Sequence, residues 1–124
     1  MAPTAMRHKR ILVVDDSEII QNVLREFLGQ DYTVETVGDA ASALRAVVQN
    51  KPDAILIDVQ LPGPNGLSLL KSLRGRGVQT PIFIMTGHGS KQIALEAFHR
   101  GANGYLPKPF DLLHLGELLA DAVK

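Results

Sequence analysis

The chain has no cysteine and no excess of either charge. Without cysteine there can be no disulfide bond, thiolate metal site or cysteine nucleophile, and this composition suits a cytoplasmic protein. Lysine and arginine together number 13, as do aspartate and glutamate, so the formal net charge is zero. Nucleic-acid-binding domains usually carry a basic excess, and we therefore expect this domain not to bind nucleic acid directly.

Long hydrophobic runs are also absent. A membrane-spanning helix needs about 20 mostly apolar residues in succession, and no segment approaches that length. The basic residues near the amino terminus precede a short apolar run, 11–14, which stops at Asp15, so no secretory signal peptide is predicted. Residues 1–9 show no periodicity and are predicted to be a disordered leader, whereas residues 10–124 are predicted to form one domain.

Short apolar runs alternate with segments of helical periodicity along the rest of the chain. The apolar or β-rich runs predict strands at 11–14, 32–37, 54–58, 81–85 and 104–106. Apolar spacing and capping residues predict helices at 18–28, 40–49, 66–73, 91–100 and from 111 onwards. The strand at 32–37 alternates polar and apolar residues, so it is expected to be more exposed than the others. Strict alternation of strand and helix predicts an α/β fold with a parallel sheet between helix layers.

The spacing of apolar residues also predicts which helix side chains face the core. The predicted buried faces are Ile19, Ile20, Val23, Leu24, Phe27 and Leu28 in the first helix, Ala40, Ala43, Leu44, Val47 and Val48 in the second, and Ile93, Ala94, Ala97 and Phe98 in the fourth. Leu95 and Leu113 fall outside the buried faces of their helices. We expect both to be simply exposed, as is common for single leucines, and the alternative is that they mark a dimer or target contact.

Polar side chains stand at the ends of four predicted strands. They are Asp15 and Asp16 after the first, Asp58 at the end of the third, Thr86 after the fourth and Lys108 after the fifth. The carboxyl ends of parallel strands lie on one edge of the sheet, so these side chains are expected to converge. Three carboxylates would repel one another unless a hard divalent cation, most simply Mg²⁺, binds among them. The hydroxyl and the ammonium could then hold an anion, which is the equipment for phosphoryl transfer onto a carboxylate.

Each of these residues has an ordinary explanation when it is taken alone. An aspartate after a strand is usually a turn or helix-cap residue, Thr86 could be a solvated loop hydroxyl, and Lys108 could be a surface lysine. Only their occurrence together, at equivalent strand ends, is specific. The histidines lack the partner spacing of a metal site and are not predicted to be ligands; they are His8, His88, His99 and His114.

The segments that contain these residues resemble the response-regulator receiver domain of two-component signalling. They are Val13–Ser17, Leu56–Gly63, Met85–His88 and Tyr105–Phe110, and the resemblance extends over about residues 10–123. It implies a flavodoxin-like (βα)5 three-layer sandwich with a parallel sheet in the order 2-1-3-4-5. It also implies a signalling phosphoacceptor that catalyses only its own phosphorylation and dephosphorylation.

The resemblance assigns a role to each acidic residue. Asp58 would accept a phosphoryl group from the phosphohistidine of a sensor histidine kinase or phosphotransfer protein. Mg²⁺ would be held by Asp15, Asp16 and Asp58, with the backbone carbonyl of Gln60 as a further ligand. The expected cofactor is therefore Mg²⁺ alone.

The remaining site residues would bind the phosphoryl group or change position in response to it. The resemblance implies that Thr86 and Lys108 bind its oxygens and that Tyr105 turns inward as Thr86 moves. It also implies a cis peptide bond between Lys108 and Pro109. The altered surface would then be recognised by a downstream output domain or target protein, or by a second copy of the chain.

Other functions fit the sequence less well. A haloacid-dehalogenase-type Mg²⁺-dependent phosphatase needs a second aspartate two residues after its nucleophile, but Ser17 follows Asp15 at that spacing and Gln60 follows Asp58. A nucleotide-binding module would need a glycine-rich phosphate loop, which the sequence lacks. A pure interaction domain on the same fold would have no use for the full set of charged strand-end residues.

Overall fold

The protein was analysed as a computed structural model, which describes residues 8–87 and 91–124. Strands and helices alternate along these residues. The strands are β1 (Arg10–Val14), β2 (Thr33–Val37), β3 (Ala54–Asp58), β4 (Ile82–Thr86) and β5 (Gly104–Pro107). The helices are α1 (Glu18–Leu28), α2 (Ala40–Asn50), α3 (Gly66–Gly75), α4 (Lys91–His99) and α5 (Leu112–Ala122).

The strands form one parallel sheet in the order β2-β1-β3-β4-β5. Both the strand order and the parallel pairing are as predicted. Val14 lies opposite Val37 on one side and Ile57 on the other, so β1 and β2 end at the same level and β3 extends one residue further, to Asp58. Asp58 is paired with Met85, and Thr86 with Pro107, which continues this edge across the sheet.

Each face of the sheet is covered by its own hydrophobic core. One core contains Leu12, Val14, Ile55, Ile57, Ile82 and Ile84, which pack against α2, α3 and α4. The other contains Ile11, Val13, Ala54, Leu56, Phe83 and Met85, which pack against α1 and α5. Successive strand residues point to opposite faces, so the central strands must be apolar throughout. This is why the continuous apolar runs identify the central strands, and it confirms the three-layer arrangement.

Side-chain caps begin several of the helices. The oxygens of Ser17 and Asp39 accept hydrogen bonds from the backbone N–H groups of Ile20 and Ser42, as predicted for the starts of α1 and α2. Asn65 caps α3 and Asp111 caps α5 in the same way. These contacts pair N–H groups that the first turn of a helix leaves without an internal partner. The predicted cap Ser90 lies outside the described residues.

Several apolar helix residues that were predicted to be buried are exposed. The exposed fractions of Ile19, Val23, Val48 and Phe98 lie between 42% and 75%, so the predictions for these residues were wrong. A helix packed on a flat sheet contacts it along a narrow stripe, and these residues stand beside that stripe. Leu95 and Leu113 are exposed, as expected.

Lys9 extends the described part of the chain just before β1. The predicted leader lies outside the described residues, apart from His8 and Lys9, which are exposed. The Lys9 carbonyl accepts a hydrogen bond from Thr33 N at 2.9 Å, which joins Lys9 to the sheet edge. Within the described residues, none of the helices combines the length and apolar character that crossing a membrane requires.

Candidate functional site

Three carboxylates meet at the carboxyl edge of the sheet. Asp15 follows β1 directly and is fully buried, whereas Asp58, the last residue of β3, is 5% exposed. Asp16 is the exposed member of the group. One carboxylate oxygen from each of the three lies within 4.8 Å of the others. The parallel sheet therefore brings together residues that are 43 positions apart, because β1 and β3 are neighbours.

Lys108 inserts its ammonium group between two of these carboxylates. Its Nζ atom lies 2.7 Å from Asp15 Oδ2 and 3.3 Å from Asp58 Oδ2. The Lys108 backbone N–H donates to the Thr86 carbonyl at 2.7 Å, which continues the pairing of β4 and β5 past the strand end. The Lys108–Pro109 peptide bond is cis, as the resemblance implied. The Lys108 side chain is thus only 19% exposed, unlike that of an ordinary surface lysine.

The electrostatic environment of Asp58 disfavours its negative charge. Burial raises the pKa of Asp58 above its ordinary value, and the adjacent Asp15 charge raises it further. A hydrogen bond from Gln60 N to Asp58 Oδ1 at 3.2 Å and the charge of Lys108 offset only part of this effect.

The same contacts stabilise the charge of Lys108. Burial by itself would lower the pKa of Lys108, but hydrogen bonds and charges from Asp15 and Asp58 outweigh it, so the pKa is raised. One ammonium nevertheless cannot neutralise three carboxylates. The site keeps a negative charge that a small cation with a preference for oxygen ligands would balance.

Thr86 lies on β4, the neighbour of β3, and Tyr105 lies on the edge strand β5. Thr86 ends β4 and is buried, and its carbonyl contacts Lys108 as described above. Tyr105 lies on β5 opposite Ile84, is half-buried, and packs against the core beneath α2, α3 and α4. The predicted switch aromatic is therefore on the strand next to Thr86.

A glycine at the start of α3 lets that helix approach Asp58 closely. A Cβ atom on Gly66 would lie 2.2 Å from the Asp58 carbonyl oxygen, which is too short for any non-bonded contact. Gly66 N donates to Val59 O at 2.8 Å, and Val59 N donates to Met85 O at 2.9 Å. The loop that follows the acidic strand end is therefore held to both α3 and β4.

Sequence reasoning missed a polar contact to the acidic loop. Gln21 on α1 donates from Nε2 to the Asp15 carbonyl at 2.6 Å. A signal was present, because Gln21 precedes Leu24 by three positions and Leu28 by seven, so it is a polar residue on the buried stripe of α1. A polar side chain at such a position usually has a hydrogen-bond partner.

The histidines are placed on the surface wherever they are described. His8 precedes β1, and His99 and His114 are exposed on α4 and α5. His88 lies outside the described residues. Among the described residues, the candidate metal ligands at the sheet edge are the three aspartates Asp15, Asp16 and Asp58.

Comparison with known proteins identifies the family. The family model of the response regulator receiver domain matches residues 11–120. The chain belongs to this family. This receiver domain is 40% identical over 108 residues to the DNA-binding transcriptional regulator NtrC of Escherichia coli K12, a match that covers 86% of the chain and 23% of NtrC.

Further relatives agree with this assignment. The receiver domain is 39% identical over 107 residues to the response regulator MprA of Mycobacterium tuberculosis H37Rv, covering 86% of the chain and 46% of MprA. The structure of the chemotaxis protein CheY4 of Vibrio cholerae superposes with a TM-score of 0.87 at 31% identity, covering 93% of the chain and 98% of CheY4. The chain thus spans less than half the length of NtrC and of MprA.

Family membership establishes the class of function. Response-regulator receivers are signalling domains of two-component systems rather than members of a catalytic enzyme family. The phosphatase alternative is therefore not favoured.

Proposed function

We propose that Asp58 accepts a phosphoryl group from the phosphohistidine of a sensor histidine kinase or phosphotransfer protein. The observation that supports this most directly is the position of the Asp58 carboxylate. It stands at the end of a central strand, 3.3 Å from the Lys108 ammonium and within 4.8 Å of two further carboxylates. No ordinary helix cap or turn requires such a group.

In the proposed reaction an ionised Asp58 oxygen attacks the phosphorus atom of the donor. The new O–P bond forms as the N–P bond to the donor imidazole breaks, and the imidazole nitrogen keeps the electron pair. With the second ring nitrogen of the donor already protonated, the imidazole leaves as neutral histidine and the product on Asp58 is an aspartyl phosphate. Asp58 is suited to this step because it is mostly buried and is oriented by Gln60 N and Lys108.

The residues around Asp58 fit a magnesium ion. The hard oxygen ligands would come from Asp15, Asp16, Asp58 and the backbone carbonyl of Gln60. Lys108 neutralises only part of the negative charge of the carboxylates, and the remaining negative charge favours a divalent cation. When bound, the metal would neutralise charge on the transferring phosphoryl oxygens.

Thr86 and Lys108 would hold the phosphoryl group after transfer. The Lys108 ammonium already contacts Asp58, so a phosphoryl oxygen on that residue would come within its reach. Thr86 would donate its hydroxyl to a second oxygen, and Tyr105 would follow it inward. The hydrogen bond from Lys108 N to the Thr86 carbonyl supports the proposal that the two residues would respond to the phosphoryl group together.

The readout surface in this proposal comprises α4, β5 and α5. It exposes Leu95, Phe98 and Leu113, which could contact a downstream output domain, a target protein or a second copy of the chain. With no net charge, the domain itself would not bind nucleic acid.

The proposal is tested by phosphorylation with acetyl phosphate and Mg²⁺, followed by intact-mass measurement. One phosphoryl group should be added, and hydroxylamine should remove it, as expected for an acyl phosphate. Asp58→Asn should abolish the addition, whereas Asp31→Asn, a change of the same kind at an exposed turn residue, should not. A hydroxylamine-stable adduct on Thr86 or on a histidine would contradict the assignment.

A further inference from the structure

The side-chain amide of Gln21 lies where β1 and β2 separate. Gln21 Nε2 is 2.6 Å from the Asp15 carbonyl oxygen and 3.5 Å from the Val37 carbonyl oxygen. Asp15 N also donates to Val37 O at 3.0 Å, one step beyond the last residue pair of the two strands. The amide of Gln21 therefore extends the backbone pairing into the loop that carries Asp15 and Asp16.

The Asp15 carbonyl depends on a protein donor. Asp15 is 0% exposed, so bulk water does not reach its backbone oxygen. The carboxylate of the same residue is held independently, by Ser17 N at 2.9 Å and by Lys108 Nζ at 2.7 Å. Gln21 thus controls the backbone of Asp15, while other groups control its side chain.

The bonded carbonyl belongs to the peptide group that joins Asp15 to Asp16. A peptide group is planar, so fixing the direction of its oxygen also fixes the direction in which the chain continues. That direction determines where the Asp16 carboxylate lies relative to Asp15 and Asp58. Asp16 is exposed, whereas Asp15 is fully buried, so the direction of this peptide group matters more for the position of Asp16 than for that of Asp15.

We propose that Gln21 is a positioning residue for the divalent-cation site, acting on Asp16 through the Asp15–Asp16 peptide group. The inference rests on the proposed function, because it assumes that the three carboxylates bind Mg²⁺. It adds to that function a residue on α1 that would not itself contact the metal. Groups that orient metal ligands in this way commonly change metal affinity when they are replaced.

The test compares Gln21→Met with the wild type and with Gln49→Met. Methionine has a length similar to that of glutamine but donates no hydrogen bond. Gln49→Met is the matched control, because it makes the same substitution at an exposed position of α2. Isothermal titration calorimetry with MgCl₂ should show a dissociation constant about 10-fold higher for Gln21→Met. Gln49→Met should bind as the wild type does.

Two further measurements separate positioning from simple stabilisation. Urea unfolding in EDTA reports the stability of the metal-free fold, and the rate of phosphorylation by acetyl phosphate is measured across a range of Mg²⁺ concentrations. The half-saturating Mg²⁺ concentration should rise about 10-fold in Gln21→Met. The rate at saturating Mg²⁺ should stay within about twofold of the wild-type rate. A purely structural role would lower the unfolding free energy and leave the Mg²⁺ affinity unchanged.

A second variant, Gln21→Asn, and the wild-type control distinguish a failure of the Gln21 proposal from a failure of the proposed function. Gln21→Asn retains the amide but is one methylene shorter, so it should also weaken Mg²⁺ binding, and it serves if Gln21→Met does not fold. If the wild type binds Mg²⁺ and both Gln21 variants bind it equally tightly, the role of Gln21 is refuted and the proposed function stands. If the wild type and Gln49→Met bind no Mg²⁺, the proposed function itself is wrong.

Discussion

The metal-free fold disfavours the negatively charged form of Asp58. Burial and the Asp15 carboxylate both raise its pKa, so the folded protein binds a proton at Asp58 more readily than the unfolded chain does. An acidic group with a raised pKa destabilises the fold above its folded pKa. That cost disappears as the pH falls and the group becomes protonated. The ionised form of Asp58, the proposed phosphoacceptor, therefore lowers the stability of the metal-free fold.

Asp58→Asn should therefore be more stable than the wild type in EDTA at neutral pH, because asparagine is uncharged. As the pH is lowered through the folded pKa of Asp58, the difference should shrink, since the wild-type carboxyl also becomes neutral. Urea unfolding of both proteins between about pH 5 and pH 8 measures this difference.

Asp31→Asn serves as the control for this experiment, because Asp31 lies in an exposed turn. It should show no comparable gain at neutral pH. A wild type that is more stable than Asp58→Asn at neutral pH in EDTA would show that Lys108 overcompensates the repulsion.

At the scale of elements, β4 and the edge strand β5 connect the carboxylate-bearing edge of the sheet to the surface. Thr86 ends β4, Lys108 directly follows β5, and the two are joined by the hydrogen bond from Lys108 N to Thr86 O. Tyr105 lies on β5, three residues before Lys108. A phosphoryl group bound by both strand ends would act directly on β5 and on α4, which follows β4.

Replacing these two residues should separate chemistry from switching. Lys108→Ala should fold and bind Mg²⁺ but accept phosphate about 100-fold more slowly, because an electrostatic partner of the transferring group is lost. Thr86→Ala should accept phosphate yet show reduced NMR shift changes at Tyr105 and α4 when beryllofluoride is added as a phosphate mimic.

Lys71→Ala, at an exposed position of α3, controls for the loss of a surface charge and should behave as the wild type. If Thr86→Ala and Lys108→Ala both show the full wild-type shift changes, the coupling of these residues to Tyr105 is wrong.

A second element-level feature lies near the carboxyl end of α3. The Arg74 guanidinium donates to the carbonyls of Val78, Thr80 and Gly101 at 2.7–3.1 Å and to Asn103 Oδ1 at 2.9 Å. Partial burial lowers the pKa of Arg74. One side chain thus joins α3, the loop before β4 and the loop before β5.

Arg74→Met should lower the free energy of unfolding by about 1–3 kcal/mol, because the partly buried carbonyls of Val78 and Thr80 lose the hydrogen bonds that Arg74 donates. Arg76→Met is the matched control, since Arg76 is exposed at the end of the same helix and should change stability by less than about 0.5 kcal/mol. Urea unfolding measures both, and equal losses would show that the Arg74 contacts contribute little.

For the whole molecule, binding of a cation at the sheet edge should act as a stabilising ligand. Mg²⁺ at about 100 times its dissociation constant should add roughly 2.7 kcal/mol to the free energy of unfolding, because the unfolded chain does not assemble the three carboxylates. Thermal melting with and without Mg²⁺ measures this effect. Asp15→Asn should reduce the stabilisation and Asp31→Asn should not, while an unchanged response in Asp15→Asn would refute the acidic site.

The sequence by itself determined the element types and the convergence of the site. Strands buried on both faces must be apolar throughout, so β1, β3 and β4 can be identified in the sequence as continuous apolar runs. Parallel strands end on one edge, so Asp15, Asp58 and Lys108 could be placed together before any contact was known. The strand order came from the family resemblance, since periodicity alone does not specify which strands are neighbours.

Only the tertiary structure decided which side chains those elements actually bury or bond. Ile19 and Phe98 look like core residues from their spacing, but each helix meets the sheet along a stripe whose width depends on neighbouring elements. Lys108 lies nearer to Asp15 than to Asp58, and Arg74 finds acceptors as far away as Asn103. Such contacts depend on distances between elements remote in sequence, and these distances exist only once the layers are packed.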